Sequence, residues 1–220
     1  MDYILNFNAV WRDFDLLISG LLLGLRLAFI SILLGSVIGL FVAFALVSRN
    51  KLLRSISSIY VTVIRNIPIL IIILFIYFAL PSVGLLLDKV TSFIFALTIY
   101  SAAYIAEVFR GGLLSLNKGL FEAGLATGMT AIQTNRIILV PLMLRSVLPA
   151  LSNNFISLFK DTSLAAVIAV PELTYYTRKI NTESFRVIES WMITSLLYVG
   201  TCFVIAFTLR QLEKRYAVPK

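Results

Sequence analysis

Glu107, Lys160 and Asp161 are ionisable residues inside long apolar runs. Placing such a group at the centre of a membrane helix costs about 2.5–3.5 kcal/mol, so a functional role is the default reading. Asn153, Ser157, Lys160 and Leu164 fall at i, i+4, i+7 and i+11, with Asn154 and Asp161 alongside. On a helix this is a polar stripe that faces a bundle interior or a wet cavity. Tyr100, Tyr104 and Glu107 form an aromatic stripe that ends in a carboxylate. The competing reading is an internal ion pair, Lys160 with Glu107 or Asp161, that only locks helices together. Arg65-Asn66-Ile67-Pro68 also reads two ways, because Pro68 removes a backbone donor and disfavours helix at Ile67. Either Asn66 caps a helix start with Arg65 at an interface, or the break lines a pathway.

Hydrolytic chemistry finds no support. No G-x-x-x-x-G-K-[ST] loop occurs, and no nucleophile–base set is evident. There is no histidine, and Cys202 is a lone cysteine in an apolar run. Metal ligands and cofactors are therefore not expected on this chain, and catalytic residues are none.

The elements that carry these residues must be membrane helices. Of 220 residues, 60% are hydrophobic and 14% charged, with a mean hydropathy of +0.96. A water-soluble domain carries about 25% charged residues. Spans are predicted at about 21–47, 56–80 (interrupted at Arg65–Pro68), 91–109, 140–170 and 191–209. Within residues 1–19, Phe7, Val10, Trp11, Phe14, Leu17 and Ile18 recur at helical spacing among charges. That spacing predicts a helix lying in the interface, anchored by Trp11. A cleaved signal peptide is not expected, since no basic stretch precedes an apolar core there. Gly20-x-x-x-Gly24 and Gly35-x-x-x-Gly39 either permit close helix contact or reflect the frequency of glycine in membrane helices. Arg26 is placed to snorkel. No internal repeat or low-complexity linker is present, so residues 1–220 read as one transmembrane domain with a loop at about 111–140.

The net charge of +8 reads as topology rather than nucleic-acid binding. Arg49, Lys51, Arg54, Arg110, Lys118, Arg136, Arg145, Arg210, Lys214, Arg215 and Lys220 fall on one side of five alternating spans. Arg12, Lys89, Arg178, Lys179 and Arg186 fall on the other, mixed with Asp2, Asp13, Asp15, Asp88, Glu172, Glu183 and Glu189. The larger basic set predicts a cytoplasmic C-terminus and loop, and an outside N-terminus.

Glu122–Pro141, EAGLATGMTAIQTNRIILVP, is the long mixed-polarity loop. Ala123, Leu125 and Ala126 favour helix, and Gly128 stops it. Thr130-Ala-Ile-Gln133 fits a capping box, and Pro141 suits the restart of a membrane helix. The order Glu122-Ala123-Gly124, then Gly128, then Ile138-Leu139-Val140-Pro141, resembles the EAA loop of ABC-importer permeases. Gly124 and Val140 depart from the pattern. Arg65–Pro68, Ala103–Gly112, Phe159–Leu164 and Val170-Pro171-Glu172-Leu173 are similar to polar amino-acid ABC permeases. That resemblance runs from about Gly20 to the C-terminus, with Lys118-Gly119-Leu120 departing.

The resemblance implies an all-α, five-span, type I ABC-importer permease in a bacterial inner membrane. Glu122–Thr127 would be the coupling helix, with Glu122, Ala123, Gly124 and Gly128 as its marker residues. Implied partners are two ATPase subunits carrying ATP and Mg, a second permease (identical or homologous) and an extracytoplasmic binding protein. Lys160 would answer a substrate carboxylate. Asp161 or Glu107 would answer its ammonium, with Tyr104 flanking the ligand and Thr162 and Ser163 adding hydroxyls if the helix loosens there. A secondary transporter coupling ions through Lys160 and Glu107, and a non-transporting anchor of a sensor complex, are the rival readings.

Overall fold

The structure is a computed structural model that describes residues Tyr3–Tyr216. The charges counted at Asp2 and Lys220 lie outside the described residues. Among the described residues every regular element is helical: α1 Asn8–Arg12, α2 Phe14–Leu46, α3 Lys51–Asn66, α4 Ile69–Val83, α5 Lys89–Ser115, α6 Lys118–Ala126, α7 Ala131–Ile168, α8 Leu173–Ser184 and α9 Val187–Tyr216. Four helices (α2, α5, α7 and α9) are long and apolar enough to cross a membrane. The broken pair α3 and α4 passes the same test together, which brings the candidate spans to as many as five. The chain forms two compact units. One comprises the described residues up to Leu33, with Ile67–Thr98 and Ile156–Ile205; the other comprises Leu34–Asn66, Ile99–Phe155 and the residues from Ala206 on.

In the first unit, Val10 and Leu17 are fully buried against Leu173 and Ile180, with Phe14, Tyr176, Leu197 and Tyr198 packed around them. This corrects the expected interface helix over 1–19. Only Asn8–Arg12 forms a short helix, the chain breaks at Asp13, and Phe14 already belongs to α2. Two of the apolar residues taken for a membrane face bury protein surface instead. Trp11 alone keeps the exposed position expected of an anchor, its ring tilted against Phe14 with centroids 5.2 Å apart. Ahead of α1, the Tyr3 hydroxyl and the Asn6 amide both donate to the buried Glu189 carboxylate, the amide at 2.8 Å. Gly20 answers the close-contact reading, since a Cβ there would lie 2.7 Å from the Glu172 backbone.

In the second unit, Gly35 and Gly39 let α2 press on α5. Added Cβ atoms would meet the Ser101 hydroxyl at 2.0 Å and the Ala102 carbonyl at 3.0 Å. Val61, Ala103 and Ala106 bury together with Val42, Leu46, Tyr60 and Ile64 around them. The Tyr60 hydroxyl donates to the Ile99 carbonyl at 2.7 Å.

Two expected breaks differ. The helix through Pro141 is not restarted there. α7 runs on from Ala131, and a π turn at Asn135–Leu139 ends two residues before the proline. A widened turn removes the clash of the proline ring with the preceding carbonyl and tolerates its missing donor. Asn66 does not cap α4 either. Its side chain donates back to the Thr62 carbonyl at 2.7 Å, closing α3, and Pro68 stands at the start of α4 in extended conformation.

Candidate functional site

The loop that carries Glu122 is held at four points. The Asn117 side chain accepts from the Gly119 amide at 2.8 Å, so α6 starts at Lys118, earlier than the predicted Glu122. Gly128 ends it with φ +85°, a conformation that a glycine adopts without steric penalty. The capping box is complete: the Gln133 amide donates to Thr130 Oγ1 at 3.3 Å, and the Thr130 amide to Gln133 Oε1 at 2.8 Å. Gly124 is buried on Thr134, where a Cβ would lie 2.5 Å from Thr134 Cγ2. The other face of α6 leaves Glu122, Ala123 and Ala126 exposed. The third position of the Glu-Ala-Gly run is glycine here because Thr134 already fills that space.

Tyr104 and Glu107 sit in the second unit on the wall of a cavity of about 540 Å³. Arg54, Ser58, Thr62, Arg65 and Asn66 of α3 and Arg110 of α5 complete its polar lining. Arg110 Nε donates to Glu107 Oε2 at 3.0 Å, and the second guanidinium nitrogen takes the other oxygen. Arg65 lies over the Tyr104 ring at 5.2 Å, and the Tyr104 hydroxyl donates to the Arg65 carbonyl at 3.4 Å. Tyr100 packs on Tyr104 with centroids 4.7 Å apart. Sequence reasoning missed Arg110 as the partner of Glu107, although the i, i+3 spacing of the pair announces it. It missed Arg54 as a wall residue because only tertiary packing brings α3 to α5.

Lys160, Asp161 and Ser163 belong to the first unit. Lys160 is exposed, as are Asn153 and Ser157, while Asp161 and Ser163 are half-buried. The polar stripe therefore does not face the interior of this chain. Met143, Val147, Leu151 and Leu158 form the buried face of α7. Among the described residues Lys160 makes no salt bridge, and Arg110 is the ion-pair partner of Glu107. The helix tightens to 3₁₀ geometry over Thr162–Ile168, with the Thr162 hydroxyl donating to the Phe159 carbonyl at 2.7 Å. It ends at Ala169, φ +57°, whose carbonyl accepts from Lys89 Nζ at 2.6 Å.

Glu172 is fully buried and caps α8, accepting from the Thr174 and Tyr175 amides at 2.9 Å and from the Tyr198 hydroxyl at 3.1 Å. Burial pushes its carboxyl up to about 7 in spite of these hydrogen bonds. Asp88, before α5, is held below its ordinary value by hydrogen bonds from Thr91 and the Val90 amide.

Among the described residues, helices alone, several of them apolar spans, with a capped polar loop and a cavity lined by both charge signs, make the architecture of a multi-pass membrane protein. Residues 35–218 match the family described as binding-protein-dependent transport system inner membrane component, and the chain belongs to that family. It is 39% identical over 215 residues to the glutamine transport system permease protein GlnP of Escherichia coli (strain K12), covering 97% of this chain and 98% of that one. It is 38% identical over 218 residues to the probable glutamine ABC transporter permease protein GlnP of Bacillus subtilis (strain 168), covering 98% and 99%. Among solved structures, an amino acid ABC transporter with histidines aligns with a TM-score of 0.87 at 31% identity, over 97% of this chain and 100% of that one. The MetNI methionine ABC transporter in an inward-facing form aligns with a TM-score of 0.81 at 25% identity, over 94% and 99%. The chain is thus a permease of the ABC-importer kind in the inner membrane.

Proposed function

We propose that this chain forms the translocation pathway of an ATP-driven importer for polar amino acids, with glutamine the first substrate to test. The observation that carries the reading is the Glu122 loop. One face of α6 is pinned by Gly124 on Thr134, and the other offers Glu122 and Ala123 to a partner. A rigid, doubly capped helix transmits a push, whereas a floppy loop absorbs it. The partner is a pair of ATPase subunits that bind ATP and Mg, so hydrolysis takes place off this chain. Closure of that pair moves the Glu122 helices of this subunit and of a second permease, identical or homologous, and opens the pathway toward a docked binding protein. The C-terminus and the Glu122 loop are cytoplasmic and the N-terminus is outside, which follows the lysine and arginine asymmetry.

In this proposal Lys160 answers the substrate carboxylate, and Glu107 or Asp161 answers its ammonium. An amino acid in a low-dielectric site leaves a costly charge unpaired if either is missing. Tyr104 flanks the ligand, and Ser163 contributes a hydroxyl where the helix tightens. Support comes from the place of Glu107 and Tyr104 on the wall of a cavity within the second unit. Glu107 already shares its carboxylate with Arg110, so a ligand ammonium competes with that guanidinium.

The test is reconstitution of the permease with its ATPase and binding protein in vesicles. Glutamine uptake must require ATP and must raise ATPase activity. Uptake driven by an ion gradient without ATP would replace this reading with a secondary transporter.

A further inference from the structure

A second cavity, of about 820 Å³, lies within the second unit beside α6. Its floor is apolar: Phe44 from the end of α2, Leu113 from the end of α5, Phe121 from α6 and Leu139 from α7. Its rim carries Arg49 and Lys118, both exposed and, among the described residues, without a salt bridge. Glu122 lines it too, so two cations stand against one carboxylate, and Lys51 follows two residues after Arg49.

Three facts constrain an occupant. The apolar floor is poorly served by water, which gains nothing by wetting Phe44 and Leu113. The cationic rim calls for an anion, and a guanidinium matches a phosphate in a two-pronged geometry. The cavity sits where α2 and α5, two helices long and apolar enough to cross a membrane, come to their ends. One molecule in that setting carries both an acyl chain and a phosphate. Basic pockets at the ends of transmembrane helices hold anionic headgroups for the same reason.

We propose that this cavity is a binding site for an anionic phospholipid. An acyl chain lies on Phe44, Leu113, Phe121 and Leu139, and the phosphate is held by Arg49 and Lys118. The excess of cations over the single carboxylate selects a net anionic headgroup over a zwitterionic one. The lipid would fill the space between α6 and the ends of α2 and α5, stiffening the seat of the Glu122 helix. The site itself does not depend on the transport reading.

The experiment is native mass spectrometry of the assembled permease–ATPase complex after exposure to an equimolar mixture of phosphatidylglycerol, phosphatidylethanolamine and phosphatidylcholine. Phosphatidylglycerol should be retained at least tenfold over each of the other two. The pair Arg49→Gln with Lys118→Gln should abolish that preference. The charge-keeping pair Arg49→Lys with Lys118→Arg should restore it, which separates lost charge from failed folding. Arg178→Gln with Lys179→Gln, on the exposed face of α8, should leave it unchanged. Equal retention of all three lipids, preference for phosphatidylethanolamine, or a preference that survives the Gln pair would overturn the proposal. So would loss of the ATPase from the Gln pair with no change in bound lipid, since the groove would then be an ATPase seat.

Discussion

Gly124 and Thr134 touch so closely that the glycine has no room for a side chain: an added Cβ would stand 2.5 Å from Thr134 Cγ2 and 2.7 Å from its hydroxyl. That hydroxyl is itself tied to the Thr130 carbonyl at 3.0 Å. The contact joins the Glu122 helix to the first turn of α7, so what moves one moves the other. Gly124→Ala should overpack this contact, at a cost of about 1–3 kcal/mol. The expected outcome is reduced ATP-driven uptake with basal ATPase activity retained, and partial recovery when Thr134→Ala is added. Uptake equal to wild type in the single variant would show that the contact does not transmit force.

Glu122 occupies the exposed face of the same helix. Glu122→Lys should leave membrane insertion intact and abolish ATP-driven uptake. Insertion is checked by membrane fractionation, and coupling by the ratio of uptake to ATP hydrolysed. A wild-type ratio would remove α6 from the coupling role.

Lys160 and Glu107 carry the proposed substrate charges. Lys160 is exposed and Glu107 half-buried, so losing either charge costs less than the about 3–5 kcal/mol of a fully buried pair. Lys160→Met and Glu107→Gln should each weaken apparent substrate affinity by about tenfold, roughly 1.4 kcal/mol. Both variants should assemble and keep basal ATPase activity. Unchanged affinity in both would place the substrate elsewhere. Arg110 loses its partner in Glu107→Gln, so Arg110→Gln on that background should recover assembly if assembly suffers, but not transport.

Glu172 sets a pH dependence. Its carboxyl is raised from 4.5 to about 7 by burial. The neutral acid is thus favoured in the fold, and its contribution is fully present below pH 4.5 and lost as pH rises through about 7. Thermal unfolding in detergent should show the wild type losing stability across that window. Glu172→Gln removes the ionisable group and keeps one carbonyl oxygen to accept from the α8 amides, which use both carboxylate oxygens in the wild type, so the difference between the two should be constant at low pH and change toward neutral. Parallel curves would mean that Glu172 titrates alike in the folded and unfolded chain.

Orientation is open to labelling. In a Cys202→Ser background, Asn8→Cys and Lys214→Cys, both at exposed positions, should react oppositely with an impermeant thiol reagent in intact cells. Asn8→Cys is the one that should label from outside. Labelling of Lys214→Cys from outside would invert the topology.

The sequence alone determined the class. Apolar runs of membrane length with so few charges admit only helices that bury their own backbone polar groups. The loop was legible to its hydrogen bonds, because a glycine stop and a Thr-x-x-Gln capping box act between residues close in sequence. The i, i+3 pair Glu107 and Arg110 was equally local, and could have been read from spacing. Tertiary structure decided the rest. Val10 and Leu17 have the spacing of a membrane-facing helix, and only the position of Leu173 and Ile180 shows that protein covers them. Arg54 and Arg65 become cavity residues because α3 packs beside α5, far along the chain. Asn153, Ser157 and Lys160 fall on the exposed face of α7 because Met143, Val147 and Leu151 take the buried one. Periodicity reveals that a helix has two faces; which one meets protein depends on neighbours distant in sequence.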